Sequence, residues 1–183
     1  MPTKAPTPIP TKAPTKAPTP TVVPTAAPTA APSGIVINLP GVPDNWPLSA
    51  SQQQRVDEFI NLVNEARGAE GLVPFQTGGS NLRQIAAIRA AEISVLFSHD
   101  RPTDLETSNK WWHLLKAFKI SYKLAGENIT GGPSSPQAAL TAFMNSPGHR
   151  GNILNPDYTT IAIGVYTDKN GKDWWVQEFM AGF

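Results

Sequence analysis

Along this chain the clearest periodic stretch begins at Val56, where apolar residues recur at Phe59, Ile60, Val63 and Ala66, the three-and-four spacing of one helical face. Ser51 followed by Gln54 has the form of a capping box and places the helix start at Ser51, with Gly68 or Gly71 available to end it. A second helix is predicted after Ser80. There Leu82, Ile85, Ala86, Ile93 and Leu96 project onto one stripe about 100° wide, the mark of a helix laid on a core. Arg89 falls inside that stripe, which leaves two readings: its head snorkels to the rim, or it pairs with a buried carboxylate. A third helix is expected from Asp104 to about Phe118, carrying Trp111, Trp112, Leu114 and Leu115. Ser135 with Pro136 reads as an N-cap and first-turn pair, opening a fourth helix through Leu140, Phe143 and Met144 that stops near Pro147.

Towards the C-terminus the period changes from three-and-four to two. Ile161, Ile163 and Val165 alternate with Ala162, Gly164 and Tyr166; Asp168-Lys169-Asn170-Gly171 supplies a hairpin turn; Trp174 to Phe179 returns as a second strand. Gly164 inside a strand predicts close approach of a helix or ligand. Helices first and antiparallel strands last imply an α+β layered domain.

Composition divides the chain. Ten of the 19 prolines and eight threonines precede Gly34, whereas all five tryptophans follow it. Residues 1–33 are a Pro/Thr-rich linker in which Pro2-Thr3-Lys4-Ala5 recurs at Pro10 and Pro14 before drifting to Pro24-Thr25-Ala26-Ala27. Such a sequence favours a disordered, extended spacer of roughly 3 Å per residue, suited to O-glycosylation in an exported stalk. Residues 34–51 connect it to a folded domain at 52–183, long enough to bury a core without cross-links. Three of the 15 basic residues lie in the linker, so the folded part is slightly acidic and offers no footprint for nucleic acid. The absence of cysteine excludes disulfides, a thiol nucleophile and thiolate metal sites, and is compatible with a Gram-positive exterior. No apolar run is long enough to span a membrane. Met1 leads straight into the linker, and the expectation is an export signal removed upstream.

Few residues are suited to chemistry. His99 lies in Ser98-His99-Asp100-Arg101-Pro102, past the second helix; His149 lies in Ser146-Pro147-Gly148-His149-Arg150, past the fourth. Both are expected on loops, where functional side chains concentrate. His113, in Trp112-His113-Leu114, reads as a helix-surface or packing residue. Glu127 stands in Gly126-Glu127-Asn128-Ile129. Two imidazoles and a carboxylate are the minimum non-thiolate set for a zinc-type site with an open position. The alternative is that each histidine hydrogen-bonds locally at a helix C-terminus. Ser98 and Ser146 neighbour the two histidines, but neither sequence resembles a nucleophile elbow. Asn128-Ile129-Thr130 is formally a glycosylation sequon, which a bacterial source would make irrelevant. Trp111-Trp112 and Trp174-Trp175 are expected to pack rather than to stack on sugars.

Asn61-Leu62-Val63-Asn64-Glu65-Ala66-Arg67, the His99 segment, Gly126-Glu127-Asn128-Ile129 and Asn145-Ser146-Pro147-Gly148-His149-Arg150-Gly151-Asn152-Ile153-Leu154 together resemble the ordered signatures of bacterial CAP-superfamily (SCP/PR-1-like) extracellular domains. The resemblance implies a three-layer α-β-α sandwich with an antiparallel sheet and a central cleft. It places His99, Glu127 and His149 on three of the four positions of the family's His/Glu tetrad; the fourth, a glutamate in many relatives, falls near Ser146. Thr103-Asp104 also departs from the family pattern after Pro102. The implied function is a secreted or cell-surface binding module, not an efficient enzyme, whose cleft takes a metal ion, Zn2+ or another divalent cation on His99 and His149, or a lipid, peptide or glycan ligand. Two alternatives are a metal-dependent hydrolase with Glu127 as base and a module that engages a cell-wall or protein partner through surface loops. The linker fits tethering, which raises local concentration near a target.

Overall fold

The computed structural model describes residues 39–102 and 110–182. The expected linker, the first residues of the connecting segment and the start of the expected third helix at Asp104 lie outside the described residues. In chain order the elements are α1 (Ala50–Ala69), β1 (Gln76–Thr77), α2 (Ser80–Val95), α3 (His113–Ala117), β2 (Leu124–Gly131), α4 (Pro136–Met144), α5 (Pro147–Ile153), β3 (Thr160–Thr167) and β4 (Asp173–Ala181). The strands form one sheet in the order β1-β3-β4-β2, which leaves β2 at an edge. β3 pairs antiparallel with β4, and β4 antiparallel with β2, as expected; the two-residue β1 runs parallel to β3, so the sheet is mixed.

Side-chain alternation along β3 sorts the two helical layers. Ile161, Ile163 and Val165 join Phe59, Val63, Phe143, Trp175 and Phe179 in a core beneath α1 and α4. Ala162 faces the other way, into a core with Ile85, Leu114 and Leu115 of α2 and α3. Burying each large apolar side chain contributes about 1.5–3 kcal/mol, so the sheet is held chiefly from both faces rather than along its edges. α2 packs against β3 backbone to backbone at Gly164, where a Cβ would lie 1.9 Å from the Ala86 carbonyl oxygen. The predicted close approach is therefore that of a helix.

Helix ends follow local chemistry, with shifts from the sequence expectation. The capping box forms two residues earlier than Ser51 and Gln54: Ser49 Oγ accepts from the Gln52 amide at 3.3 Å, and Gln52 Oε1 accepts from the Ser49 amide at 2.9 Å. Gln52 is fixed there because its Nε2 also donates to Asn45 Oδ1 at 2.8 Å and to the Val165 carbonyl at 3.0 Å, tying the helix start to the sheet. α1 runs through Gly68 and ends before Gly71, whose φ of 74° suits the left-handed turn after a helix. The described part of α3 begins only at His113, because Lys110 is held extended in a bridge to Asp100. Ser135 caps α4 with Pro136 in its first turn, as expected. The same Ser-Pro pair recurs at Ser146-Pro147 and opens α5, so His149 sits in a short helix and not on a loop. Leu96 lies past the end of α2 and is exposed rather than part of its buried stripe. Each tryptophan pair splits: Trp111 and Trp175 are buried, while Trp112 is exposed and Trp174 half-buried. Among the described residues no helix is long and apolar enough to cross a membrane.

Candidate functional site

Glu127 lies midway along edge strand β2 with its carboxylate fully buried. An unpaired carboxylate there would be prohibitively costly, so its partners define the site. Arg89 Nε donates to Oε2 at 2.7 Å and Arg89 Nη2 donates to Oε1 at 3.3 Å. Arg89 thus takes the second reading open to it. Its Nη1 donates to Glu92 Oε2 at 2.7 Å, one helical turn further along α2, and Arg101 closes the network on Glu92 Oε1 at 2.8 and 2.6 Å. Burial works against the Arg89 charge, but Glu127 and Glu92 outweigh it and raise its pKa.

The network also positions the loop that carries His99. Arg89 Nη2 donates to the Ser98 carbonyl at 2.8 Å, and His99 Nδ1 lies 2.8 Å from Glu127 Oε1. A carboxylate opposite Nδ1 assigns a proton to that nitrogen and turns Nε2 away from the network. The His99 side chain is 53% exposed, so this oriented imidazole is offered outward.

His149 comes from the opposite layer. Its ring meets Phe143 edge-on at 5.2 Å between centroids. Burial pushes its pKa down, and a charge on His99 pushes it further. Asn128, next to Glu127 but on the other face of β2, binds this side: its Nδ2 donates to the His149 carbonyl and to Gln177 Oε1, both at 3.0 Å, and its Oδ1 accepts from Asn152 Nδ2 at 2.8 Å. Ser146 is half-buried at the N-cap position of α5, makes no capping bond, and is not joined to the other three by any contact among the described residues.

Four groups of the site carry little sequence signal. Glu92 and Arg101 complete the Arg89 network; only the i,i+3 placement of Glu92 inside the apolar stripe could have marked it. Asn128 reads as part of a motif rather than as a strut. Glu178 is the fourth. It stands opposite Glu127 in the β2–β4 register, is fully buried, and neither carboxylate oxygen has a hydrogen-bond partner among the described residues. Its pKa is raised well above the ordinary value, first by burial and then by the charge of Glu127.

Among the described residues no group of three or more His, Asp or Glu side chains is placed to hold a metal ion. The arrangement instead presents an oriented, exposed imidazole and a second, less exposed one at the edge of a sheet.

Comparison with known proteins agrees with this architecture. The family model for CAP, the cysteine-rich secretory protein family, matches residues 60–179. The uncharacterized protein YkwD of Bacillus subtilis is 35% identical over 136 residues, covering 73% of this chain and 49% of YkwD. YlbC, an uncharacterized membrane protein of the same organism, is 32% identical over 94 residues, covering 44% of this chain and 27% of YlbC. The chain therefore spans half or less of the curated relatives it matches. An extracellular protein containing an SCP domain from Bacillus anthracis superposes with a TM-score of 0.62 at 28% identity, covering 73% of this chain and 44% of that one. An outer surface protein from Borrelia burgdorferi reaches the same TM-score of 0.62 at 17% identity, over 72% of this chain and 96% of its own, and shares the fold. With the family model spanning well over half its length, this chain belongs to the CAP family of cysteine-rich secretory proteins, although it contains no cysteine.

Proposed function

We propose that this CAP domain is an exported recognition module whose cleft, lined by His99 and His149 at the edge of β2, binds a small ligand or peptide segment and releases it unchanged. The observation that carries this reading is the state of Glu127. A general base needs a lone pair free to take a proton from a bound substrate. Both oxygens of Glu127 are engaged by Arg89 and His99, and the group has no exposed surface. Its role is to fix the tautomer and direction of His99, which removes Glu127 itself as the base and turns the exposed His99 ring toward a ligand.

The donor set also bears on a metal. A carboxylate behind an imidazole is the arrangement that orients a metal-bound histidine. A catalytic zinc, however, takes three protein ligands. His99 and His149 supply two, Arg89 withholds Glu127, and Ser146 brings no carboxylate. The residues fall short of a hydrolytic zinc centre. Leu96 and Phe97, exposed immediately before His99, favour a ligand with an apolar part beside its hydrogen-bonding group. The likeness to an extracellular SCP-domain protein supports export.

Calorimetric titration of the metal-free protein with zinc, alongside a His99→Ala/His149→Ala double variant, tests the choice. The expectation is no saturable one-site binding by either. Saturable binding that disappears in the double variant would overturn the metal-independent reading. A peptide and glycan-fragment screen run on both proteins supplies the second arm: cleft ligands should lose at least about tenfold in affinity in the double variant, equivalent to about 1.4 kcal/mol. Ligands held equally by both proteins would move recognition to the surface loops.

A further inference from the structure

A second site is built around Arg67, at the far end of α1. Its side chain is 1% exposed. Four other arginines, Arg55, Arg89, Arg101 and Arg150, each face a carboxylate, whereas Arg67 forms no ion pair among the described residues. Its hydrogen bonds go to carbonyls: Nε donates to Val73 at 2.9 Å, and Nη1 donates to Ile153 at 2.7 Å and Asn155 at 3.0 Å. The guanidinium carbon lies 3.7 Å from the centroid of the Phe75 ring. Carbonyl dipoles and a ring face offset part of a buried charge without neutralising it, and burial lowers the pKa of the group accordingly. Nη2 makes no hydrogen bond to any described residue, which leaves its N–H donors available to water or to a ligand.

Beside this group lies a cavity of about 360 Å³, lined by Arg67 with Leu72, Val73, Pro74, Gln76 and Tyr158 among others. It shares no residue with the His99 cleft. The lining is apolar apart from Arg67 and a few polar groups, and Val73 is 79% exposed, large apolar surface with no covering partner. The volume is at the small end of ligand pockets, which suits a compact molecule and not a long acyl chain. One uncompensated cation fits a monoanion; a planar carboxylate matches the guanidinium geometry.

We infer that the Arg67 cavity is a binding site for a small carboxylate carried on an apolar body, with the carboxylate on Arg67 Nη2 and the apolar part against Leu72, Val73 and Pro74. Gln76, exposed on β1, lines the same cavity, so an added anion there would oppose a bound carboxylate.

Arg67 itself supports three carbonyls, so its removal could unfold the chain; the test therefore leaves it in place. The full chain, uniformly labelled with 15N, is titrated with phenylacetate and, separately, with its neutral isostere phenylacetamide, following amide resonances by NMR. Phenylacetate is expected to shift residues 71–73, 75–76 and 157–159 saturably, and phenylacetamide to leave them unmoved. Gln76→Glu, which adds an anion at an exposed position, is expected to keep the wild-type melting temperature and weaken phenylacetate at least tenfold. Absence of a saturable phenylacetate shift, equal binding of the amide, shifts confined to the His99 cleft, or undiminished affinity in Gln76→Glu would each overturn the assignment.

Discussion

Replacing Glu178 by Gln should make this protein more stable at neutral pH, and the gain should grow with pH. Glu178 is fully buried beside Glu127, with Arg89 already committed to Glu127 and Glu92. Two ionised carboxylates are both acceptors and cannot satisfy each other; a proton on Glu178 lets it donate toward Glu127. Burial and then the charge of Glu127 raise its pKa well above the ordinary value of 4.5, against an opposing pull from Arg89. The unfolded chain ionises this group from about pH 4.5 upward while the folded chain keeps the proton. Over that window the folded state binds more protons, so stability falls as pH rises, by about 1.4 kcal/mol per unit for as long as Glu178 stays protonated. Gln carries no such penalty, and its amide can still donate to Glu127. The variant should match wild type at or below pH 4.5 and exceed it by a margin that widens as pH rises above that value. Urea unfolding of both proteins from pH 4 to 8 measures this directly, and taking the difference cancels every group they share. A difference that does not change with pH, or a Gln variant less stable throughout, would mean that Glu178 is ionised and favourably held, and the reasoning would fail.

Gly164→Ala should destabilise by about 3 kcal/mol or more, since its Cβ would meet backbone at Ala86 that cannot swing aside; chemical denaturation checks this, and a loss below about 1 kcal/mol would mean α2 can lift off β3. Ser49→Ala should cost about 1 kcal/mol while Ser51→Ala stays within about 0.5, which separates the observed cap from the one the sequence suggests. His149 should titrate below a free histidine, because burial and then the His99 charge disfavour its protonated form. Its contribution to stability is therefore complete above the ordinary histidine range and declines as pH falls through it. In His99→Ala its midpoint, followed by ring-proton NMR, should move up, and an unchanged midpoint would show that the two rings do not sense each other.

How far the sequence can be read depends on whether a residue's role is local. Helical faces at Val56–Val63 and Leu82–Ile93, the Ser135-Pro136 cap and the hairpin at Asp168–Gly171 are set by neighbours a few positions away, and they stand where periodicity places them. The cap of α1 sits earlier than expected because Gln52 answers to Asn45 and to Val165, more than a hundred residues on, and no local rule contains that contact. α5 escapes for the opposite reason: its Ser-Pro start is local, but Pro147 reads equally well as the end of the preceding helix. Strand β2 has no apolar alternation, since Glu127 and Asn128 spend both faces on polar networks. Arg67 and Glu178 are invisible for a further reason. Their significance lies in partners they lack, and a sequence does not reveal a missing partner.

The adjacency of Glu127 and Asn128 explains how one strand holds both the His99 loop and the His149 helix. Successive residues of a strand point to opposite faces, so two adjacent side chains grip two different layers: Glu127 holds Arg89 and His99 on the α2 side, and Asn128 holds the His149 carbonyl and Asn152 on the α5 side. Because β2 is an edge strand, the loop from α2 and the start of α5 can meet around it, which an interior strand flanked by neighbours would prevent. The His99 ring is thus oriented by one buried side-chain network and the backbone at His149 is held by another, each anchored to the same strand.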